Sequence, residues 1–476
     1  MTMTNLQTIS PDDGKYGESS KDLLPYLSAE AEWKAFARVQ HALLATRVAF
    51  GGAQQKHLDE LEQALQKFDP TQADAFERDP KIQHDQLAVL EELGRHISPK
   101  TKALLHPGTT SYDIVDTARA CLFKGAWKHV IRPKVAATIA SLCTLADTYS
   151  NILQVGRTHL QHTSPVPFDL TFSLYAARLA DRTERCDIAF GDLRGKISGI
   201  VGTGASIDMV MGMDNSWHFE QQVLMRLGLQ PDLTATQIVQ KERLADVGHG
   251  LVTLMHVLGD FTNDMRILYS SEIGEITSRD GKRLGGSSAD AAKDNPIQWE
   301  NTTGKTAVVE SGMRVLYELI HSDLQRDLRG SVQARYQPHQ MMTQVYESFC
   351  RALKALGKLS INEDKVVEHL QLVRDFPSEA MVAILRGSGY VHPQHGVGHD
   401  AVKAFAKLAK AEKQPLLTVA LRDQHFAQYF AGLSEIKQQI LQGQLEHYIG
   451  SSHQRAFTNK QYALKVARKE LSWQTF

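Results

Sequence analysis

Four short stretches hold residue types that could do chemistry. The first is Gly285-Gly286-Ser287-Ser288-Ala289-Asp290-Ala291-Ala292-Lys293-Asp294-Asn295-Pro296, with two glycines, two hydroxyls, one lysine and a proline stop. Glycine loses backbone entropy in a helix and serine competes for its hydrogen bonds, so the stretch reads as a loop. Loops on rigid scaffolds often carry chemistry, and a solvated linker is the plain alternative. The second is Gly156-Arg157-Thr158-His159-Leu160-Gln161-His162-Thr163, where two imidazoles suit proton transfer near neutral pH. Its spacing does not match a helical metal pair such as HExxH, and structural histidines are equally compatible with it.

The third stretch is Thr109-Thr110-Ser111-Tyr112-Asp113. Thr110 and Asp113 have capping-box spacing, and the same helix start could hold a carboxylate or phosphate on its free amides. The fourth carries Arg326, Arg329, Ser331 and Arg335, either a solvated connector or a guanidinium clamp for an anion. Gly14-Lys15-Tyr16-Gly17 reads as a turn. Gly199-Ile200-Val201-Gly202-Thr203-Gly204 lacks the GK[ST] ending of a nucleotide-triphosphate loop and is discounted as one.

The elements that must position these residues are helical. Leu244, Val247, Leu251, Leu254, Leu258, Phe261, Met265 and Leu268 repeat with alternating spacings of 3 and 4. That is a heptad seam, and it predicts a helix of about 28 residues, ~40 Å long, that needs a bundle or a subunit partner. Val309, Met313, Leu316 and Ile320 predict a second long helix after the loop, and Val345, Phe349, Leu353 and Leu356 a third. Earlier helices are expected around Phe36–Leu44, from Gln54 to Phe68 and over 81–97. Residues 1–30 read as irregular, and no period-2 alternation predicts a strand. The expectation is an all-α fold in three helical domains: 1–105, a long-helix core over 106–360 with the candidate segments, and 361–476.

Composition narrows the classes. Lys plus Arg is 53 and Asp plus Glu is 54, so no net field recruits nucleic acid or an anionic membrane. The four cysteines lack CxxC spacing, which fits a reducing compartment and argues against a disulfide framework or zinc site. No apolar run approaches the ~18 residues of a membrane span, and Met1–Leu6 has no signal-peptide character. A soluble, cytoplasmic protein is expected.

Taken in order, these pieces resemble the fumarase/aspartase superfamily, and within it the adenylosuccinate lyase family. His106-Pro-Gly-Thr-Thr110-Ser111-Tyr-Asp113 is similar to its H-x-G-x-T-S-x-D segment, and Arg157-Thr158-His159-x-Gln161 to R-T-H-x-Q. Gly286-Ser287-Ser288 through Lys293-x-Asn295-Pro296, with Glu300 following, resembles G-S-S-x-M-P-x-K-x-N-P…E. Ser10-Pro-x-Asp-Gly-Lys15-Tyr16-Gly, His84-Asp85, Thr236-Gln237 and Arg326-Asp327 with Ser331 and Arg335 match flanking segments.

The resemblance implies a homotetramer with a twenty-helix core, and active sites that each draw on three subunits. It implies elimination of fumarate from N-succinylated purine nucleotides with no metal or organic cofactor. Ser287 is then the base and His159 the acid, with Lys293 and Asn295 stabilising charge and Glu300 orienting neighbours. His106, Thr110 and Ser111 grip the succinyl or phosphate part, and Gln237 helps to position substrate. Thr158 belongs to the same binding set. His84 with Asp85 lies near the nucleotide, which Lys15, Tyr16, Arg326, Ser331 and Arg335 hold. No nucleic-acid or membrane partner is implied.

The chain departs from the pattern inside the loop. Met-Pro-His is replaced by Asp290-Ala291-Ala292, and Asp294 follows the lysine. Carboxylates near an anion site oppose both dicarboxylate binding and a serine alkoxide. Lys15 stands where arginine is usual, and it lacks the bidentate fork. Two further readings therefore stay open: a superfamily lyase for a different succinylated amine or amino acid, and a catalytically impaired homologue that binds nucleotide.

Overall fold

The computed structural model describes residues 8–279 and 285–475; the reading of Met1–Leu6 lies outside them. The expectation of an irregular start is corrected. Short helices run over Gly17–Ser20 and Leu24–Leu27, helped by Pro25 in the first turn of the second. Ser28 then caps helix α1 (Ala29–Ala49), accepting the Ala31 N–H at 3.1 Å.

The elements used below follow in chain order. Helix α2 is Asp85–Gly94 and α3 is Ser111–Ala126. A π-helical turn at Trp127–Ile131 joins α3 to α4 (Arg132–Thr148). Strands β1 (Leu153–Thr158) and β2 (Gln161–Pro167) form a hairpin, and α5 is Phe168–Gly191. Then come α6 (Glu242–Leu268), β3 (Ile276–Ser278), α7 (Ile297–Glu318) and α8 (Arg329–Leu356). After these lie β4 (Leu359–Ile361), α9 (Glu363–Asp375) and, near the end, α10 (Ser452–Arg468).

The chain is all-α in class, with α4 to α8 as a bundle of long helices. Side-chain rungs fix their directions. Tyr175 reaches Asp264 at 2.5 Å, Arg178 reaches Asp260 at 2.7 Å and Arg243 reaches Asp192 at 2.9 Å, so α5 and α6 run antiparallel. His256–Glu310 at 3.2 Å and Thr262–Thr303 at 2.9 Å set α7 antiparallel to α6. Strand β3 after α6 pairs with β4 after α8, so those two helices end together.

The heptad seam is buried within this one chain. Val247, Leu251, Leu254, Leu258, Phe261, Met265 and Leu268 are all buried, and only Leu244 at the start is half-buried. Its partners are α5, α7 and α8 rather than a second subunit. Gly248 and Gly259 let α7 approach: a Cβ there would meet Leu316 at 2.2 Å and Thr306 at 2.4 Å. One hydrophobic core runs from Leu23 to Val366 and takes in Ala463 and Val466 of α10. A second core, between Ala380 and Leu441, belongs to the helices after α9.

The expectation of no strands is also corrected. Three two-stranded antiparallel ribbons are present among the described residues. In the longest, Val155 faces Pro165 and Thr158 faces Gln161, with a register shift between Val155 and Arg157. That bulge and two prolines break the alternation that would have announced it.

Candidate active site

Helix α3 brings the first group of residues together. Thr110 and Asp113 form the anticipated capping box, with the Thr110 N–H donating to Asp113 at 2.6 Å. Asp113 is fully buried and also takes the Lys196 ammonium and the amides of Ser198 (3.0 Å) and Gly199 (3.2 Å). This fastens the glycine turn 199–204 beside the start of α3. His84 caps α2 through Nδ1, which accepts the Gln86 N–H, so a neutral ring carries its proton on Nε2. That Nε2 lies 3.1 Å from Ser111 Oγ, and Asp85 lies 3.3 Å from Nδ1. His106 sits at φ +62° with Nδ1 3.0 Å from Gln40, and burial pushes its pKa down.

Next to it the basic segment closes on Tyr112. The Arg326 guanidinium lies 3.8 Å over the Tyr112 ring, donates to Gln237 Oε1 at 2.8 Å and reaches Ser331 Oγ at 3.3 Å. Tyr112 Oη and Ser331 Oγ are 2.5 Å apart. Gln237 in turn donates to the Ile200 carbonyl at 3.0 Å. Ser331 and Arg335 stand in the first turns of α8 rather than in a connector, and Arg335 is exposed one turn beyond Ser331.

The other candidates lie elsewhere. Ser287 Oγ accepts the Ala289 and Asp290 N–H groups at 3.3 and 3.1 Å, an arrangement that favours negative charge on that oxygen. Asn295 ties the loop on itself through Gly286 O (3.2 Å) and Gly285 O (2.8 Å). Lys293 and Asp290 are exposed, as is Glu300 in the first turn of α7. His159 does not sit between helices as expected. It is at the exposed tip of the β1–β2 hairpin, between Thr158 and Leu160, with positive φ at both His159 (+53°) and Leu160 (+59°). Two non-glycine residues in the left-handed region are strained, and such strain gathers at functional sites. Arg157 anchors that hairpin through two bonds of 3.0 and 2.5 Å to the buried Glu275, which also holds His369 of α9 at 2.6 Å. Lys15 and Tyr16 lie toward the same end, where Lys305 and Arg351 sit 4.6 and 5.0 Å from the Tyr16 ring.

The candidates therefore form two groups within one chain. Gln237, Arg326 and Ser331 are at the start of α6, with Gln237 bonded to Gln325 across the α7–α8 turn. Ser287 and the hairpin are at its far end, where Tyr269 and Glu275 hold them. The 27 residues of α6 put about 40 Å between those ends.

A family model described as lyase matches residues 23–310. The chain belongs to this lyase family of the fumarase/aspartase superfamily. It is similar to the adenylosuccinate lyase of Archaeoglobus fulgidus, 25% identical over 449 residues that cover 94% of this chain and 97% of that one. The adenylosuccinate lyase of Methanocaldococcus jannaschii is 26% identical, covering 88% and 89%. That of Bacillus subtilis is 31% identical, covering 56% and 59%. The fold matches a crystal structure of a fumarate lyase from Mesorhizobium sp. BNC1 with a TM-score of 0.77 at 20% identity, covering 93% and 97%. It matches a 3-carboxy-cis,cis-muconate lactonizing enzyme from Pseudomonas putida at 0.76 and 18%, covering 98% and 100%. The chain is thus an enzyme of the lyase class, and no described helix is long and apolar enough to cross a membrane.

Several residues of this lyase that shape the site were not among the candidates. Tyr112 carries no assigned role in the sequence reading, and its ring lies under Arg326. The turn Gly199–Gly204 was set aside, yet its Ile200 carbonyl fixes Gln237. Its signal was the glycine spacing itself, since Gly199, Gly202 and Gly204 all have positive φ. Asp294 reads from the sequence as a carboxylate opposing dicarboxylate binding. It points inward instead, because Tyr269 and the Gly285 N–H supply donors for it.

Proposed function

We propose that the chain is an adenylosuccinate lyase-like C–N lyase that releases fumarate from N-succinylated purine nucleotides. Its substrates are adenylosuccinate, giving AMP, and the succinylated aminoimidazole carboxamide ribotide, giving its amide. The observation that carries this reading is the Arg326–Tyr112–Ser331–Gln237 cluster beside His84–Ser111. It joins a guanidinium, hydroxyls and an amide in a lyase fold, a set suited to phosphate and carboxylate.

In this reading Ser287 takes the C–H proton next to a substrate carboxylate. The electron pair becomes the double bond of fumarate, and the C–N bond breaks. His159 delivers a proton to the leaving nitrogen. The two amides on Ser287 Oγ favour its charged form, with Lys293 and Asn295 adding to the field and Glu300 orienting them. Thr110, Ser111, His106, Thr158 and Gln237 grip the substrate, and Lys15, Tyr16, Arg326, Ser331 and Arg335 hold its nucleotide. The balance calls for no metal or organic cofactor.

The 40 Å between the groups supports sites completed by other copies of the chain, in a homotetramer whose site spans three subunits. Division at about 105 and 360, and a cytoplasmic location, belong to the same proposal. The exposed Asp290 favours a second reading, in which the leaving amine is more cationic and the substrate is a different succinylated amine.

Fumarate release from adenylosuccinate, argininosuccinate and aspartate tests this. Turnover of adenylosuccinate is the expected result. Turnover of another substrate alone selects the second reading. Fumarate from none, with tight nucleotide binding, marks an impaired homologue and overturns both.

A further inference from the structure

The loop that carries Ser287 is fastened at its base by a group the reaction scheme does not use. Asp294 accepts the Tyr269 hydroxyl at 2.5 Å and the Gly285 N–H at 2.9 Å, with Ser278 Oγ at 3.5 Å. Tyr269 is the residue after α6, Ser278 ends β3, and Gly285 lies two residues before Ser287. One carboxylate thus joins a helix end, a strand end and the near side of the loop. Asn295, the next residue, adds its N–H to Gly285 O at 2.8 Å. Ser287 and Lys293 therefore stand on a ring of backbone whose two ends meet at Asp294–Asn295.

We propose that Asp294 is a positioning residue that holds the Ser287 loop in register on the end of the bundle. The proposal rests on the reading of Ser287 as the base. Among the described residues Tyr269, Gly285 and Ser278 all donate to Asp294, and a carboxylate can accept from all of them. Burial, with the Asp294 bond second, pushes the Tyr269 phenol up, so it stays a donor across the neutral range. The Asp294 carboxylate is engaged at the base of the loop. Asp294 differs in this from Asp290, which is exposed and caps the Ala292 N–H at 3.0 Å.

The test compares wild type with Asp294→Asn and Tyr269→Phe by hydrogen exchange and by fumarate release from adenylosuccinate. Asp294→Asn keeps the shape but turns an amide NH2 against one of the donors. It is expected to speed exchange in the 285–295 peptide at least tenfold. The same variant should lower kcat at least tenfold while KM moves less than threefold. Tyr269→Phe removes one donor and leaves the Gly285 bond, so both effects are expected to be smaller. The double variant should then be no worse than Asp294→Asn alone. Wild-type exchange in Asp294→Asn overturns the proposal. So does faster exchange at unchanged kcat, or a double variant whose losses multiply. Exchange needs no substrate, so a wild-type protein that releases no fumarate defeats the assignment of Ser287 while the exchange arm still decides the fastening.

Discussion

The Arg326 guanidinium carbon lies 3.8 Å over the centre of the Tyr112 ring, and each side chain also reaches Ser331. The ring contact orients the guanidinium, whose two terminal nitrogens already reach Gln237 and Ser331, so an anion here would share donors with that cluster. Tyr112→Leu removes both the ring and the hydroxyl, and Tyr112→Phe removes the hydroxyl alone. A partly buried cation–π contact is worth about 1 kcal/mol, roughly a fivefold change. Tyr112→Leu is expected to raise KM about fivefold or more with kcat altered much less, and Tyr112→Phe to fall between it and wild type. Steady-state kinetics decide this; a loss confined to kcat would remove Arg326 from the binding group.

Ser287 and His159 lie at the same end of the bundle, far from the Arg326 group. Removing an acid or base costs roughly 10²–10⁴-fold in rate. Ser287→Ala and His159→Ala are each expected to show that loss with the wild-type assembly state unchanged. The proposed sharing of sites between subunits predicts complementation: dissociating and reassembling the two inactive variants together should return part of the activity. Light scattering follows the assembly and fumarate absorbance the activity. A mixed sample as inactive as its parents would place both residues in one subunit's site.

The hairpin that presents His159 depends on Arg157 and Glu275. Glu275 is fully buried and takes both arms of the Arg157 guanidinium as well as His369. Removing one partner of a buried pair leaves a desolvated charge, at a cost of about 3 kcal/mol or more. Arg157→Met is expected to destabilise by that order in urea unfolding, more than Glu275→Gln, which leaves an acceptor in place. Equal stability of both variants with wild type would show that the pair does not anchor the hairpin.

What could be read beforehand follows from how local each determinant is. The α6 seam was legible because burial on one helix face repeats along the chain itself. The order of the loop, hairpin and α3 segments was legible because each is a short contiguous run of distinctive residue types. The β1–β2 ribbon was not, since its pairing is a backbone property that Pro165, Pro167 and a bulge disguise in the side-chain pattern. The inward turn of Asp294 depends on Tyr269, 25 residues earlier, and the role of Tyr112 depends on a guanidinium more than 200 positions later. The seam also invited a partner from another subunit, because periodicity states that a face is buried but not by what.

Glu220 gives the molecule a pH dependence of stability. It is buried, and its Oε1 accepts the Ile197 N–H at 2.6 Å, just before the turn that Asp113 holds. Burial pushes its pKa up to about 7, with Asp113 and Asp232 adding to the rise and the Ile197 amide and Lys196 opposing it. The folded value lies above the ordinary carboxylate range, so folding favours the protonated form. That contribution is fully present below the unfolded value near 4.5 and is lost as pH rises through about 7. Glu220→Gln keeps the acceptor and never ionises. It is expected to match wild type at pH 5 and to be more stable by on the order of 2 kcal/mol at pH 8, with the gap opening between pH 5 and 7.5. Urea midpoints across that range test it, and a gap that stays constant with pH would show that Glu220 does not titrate there.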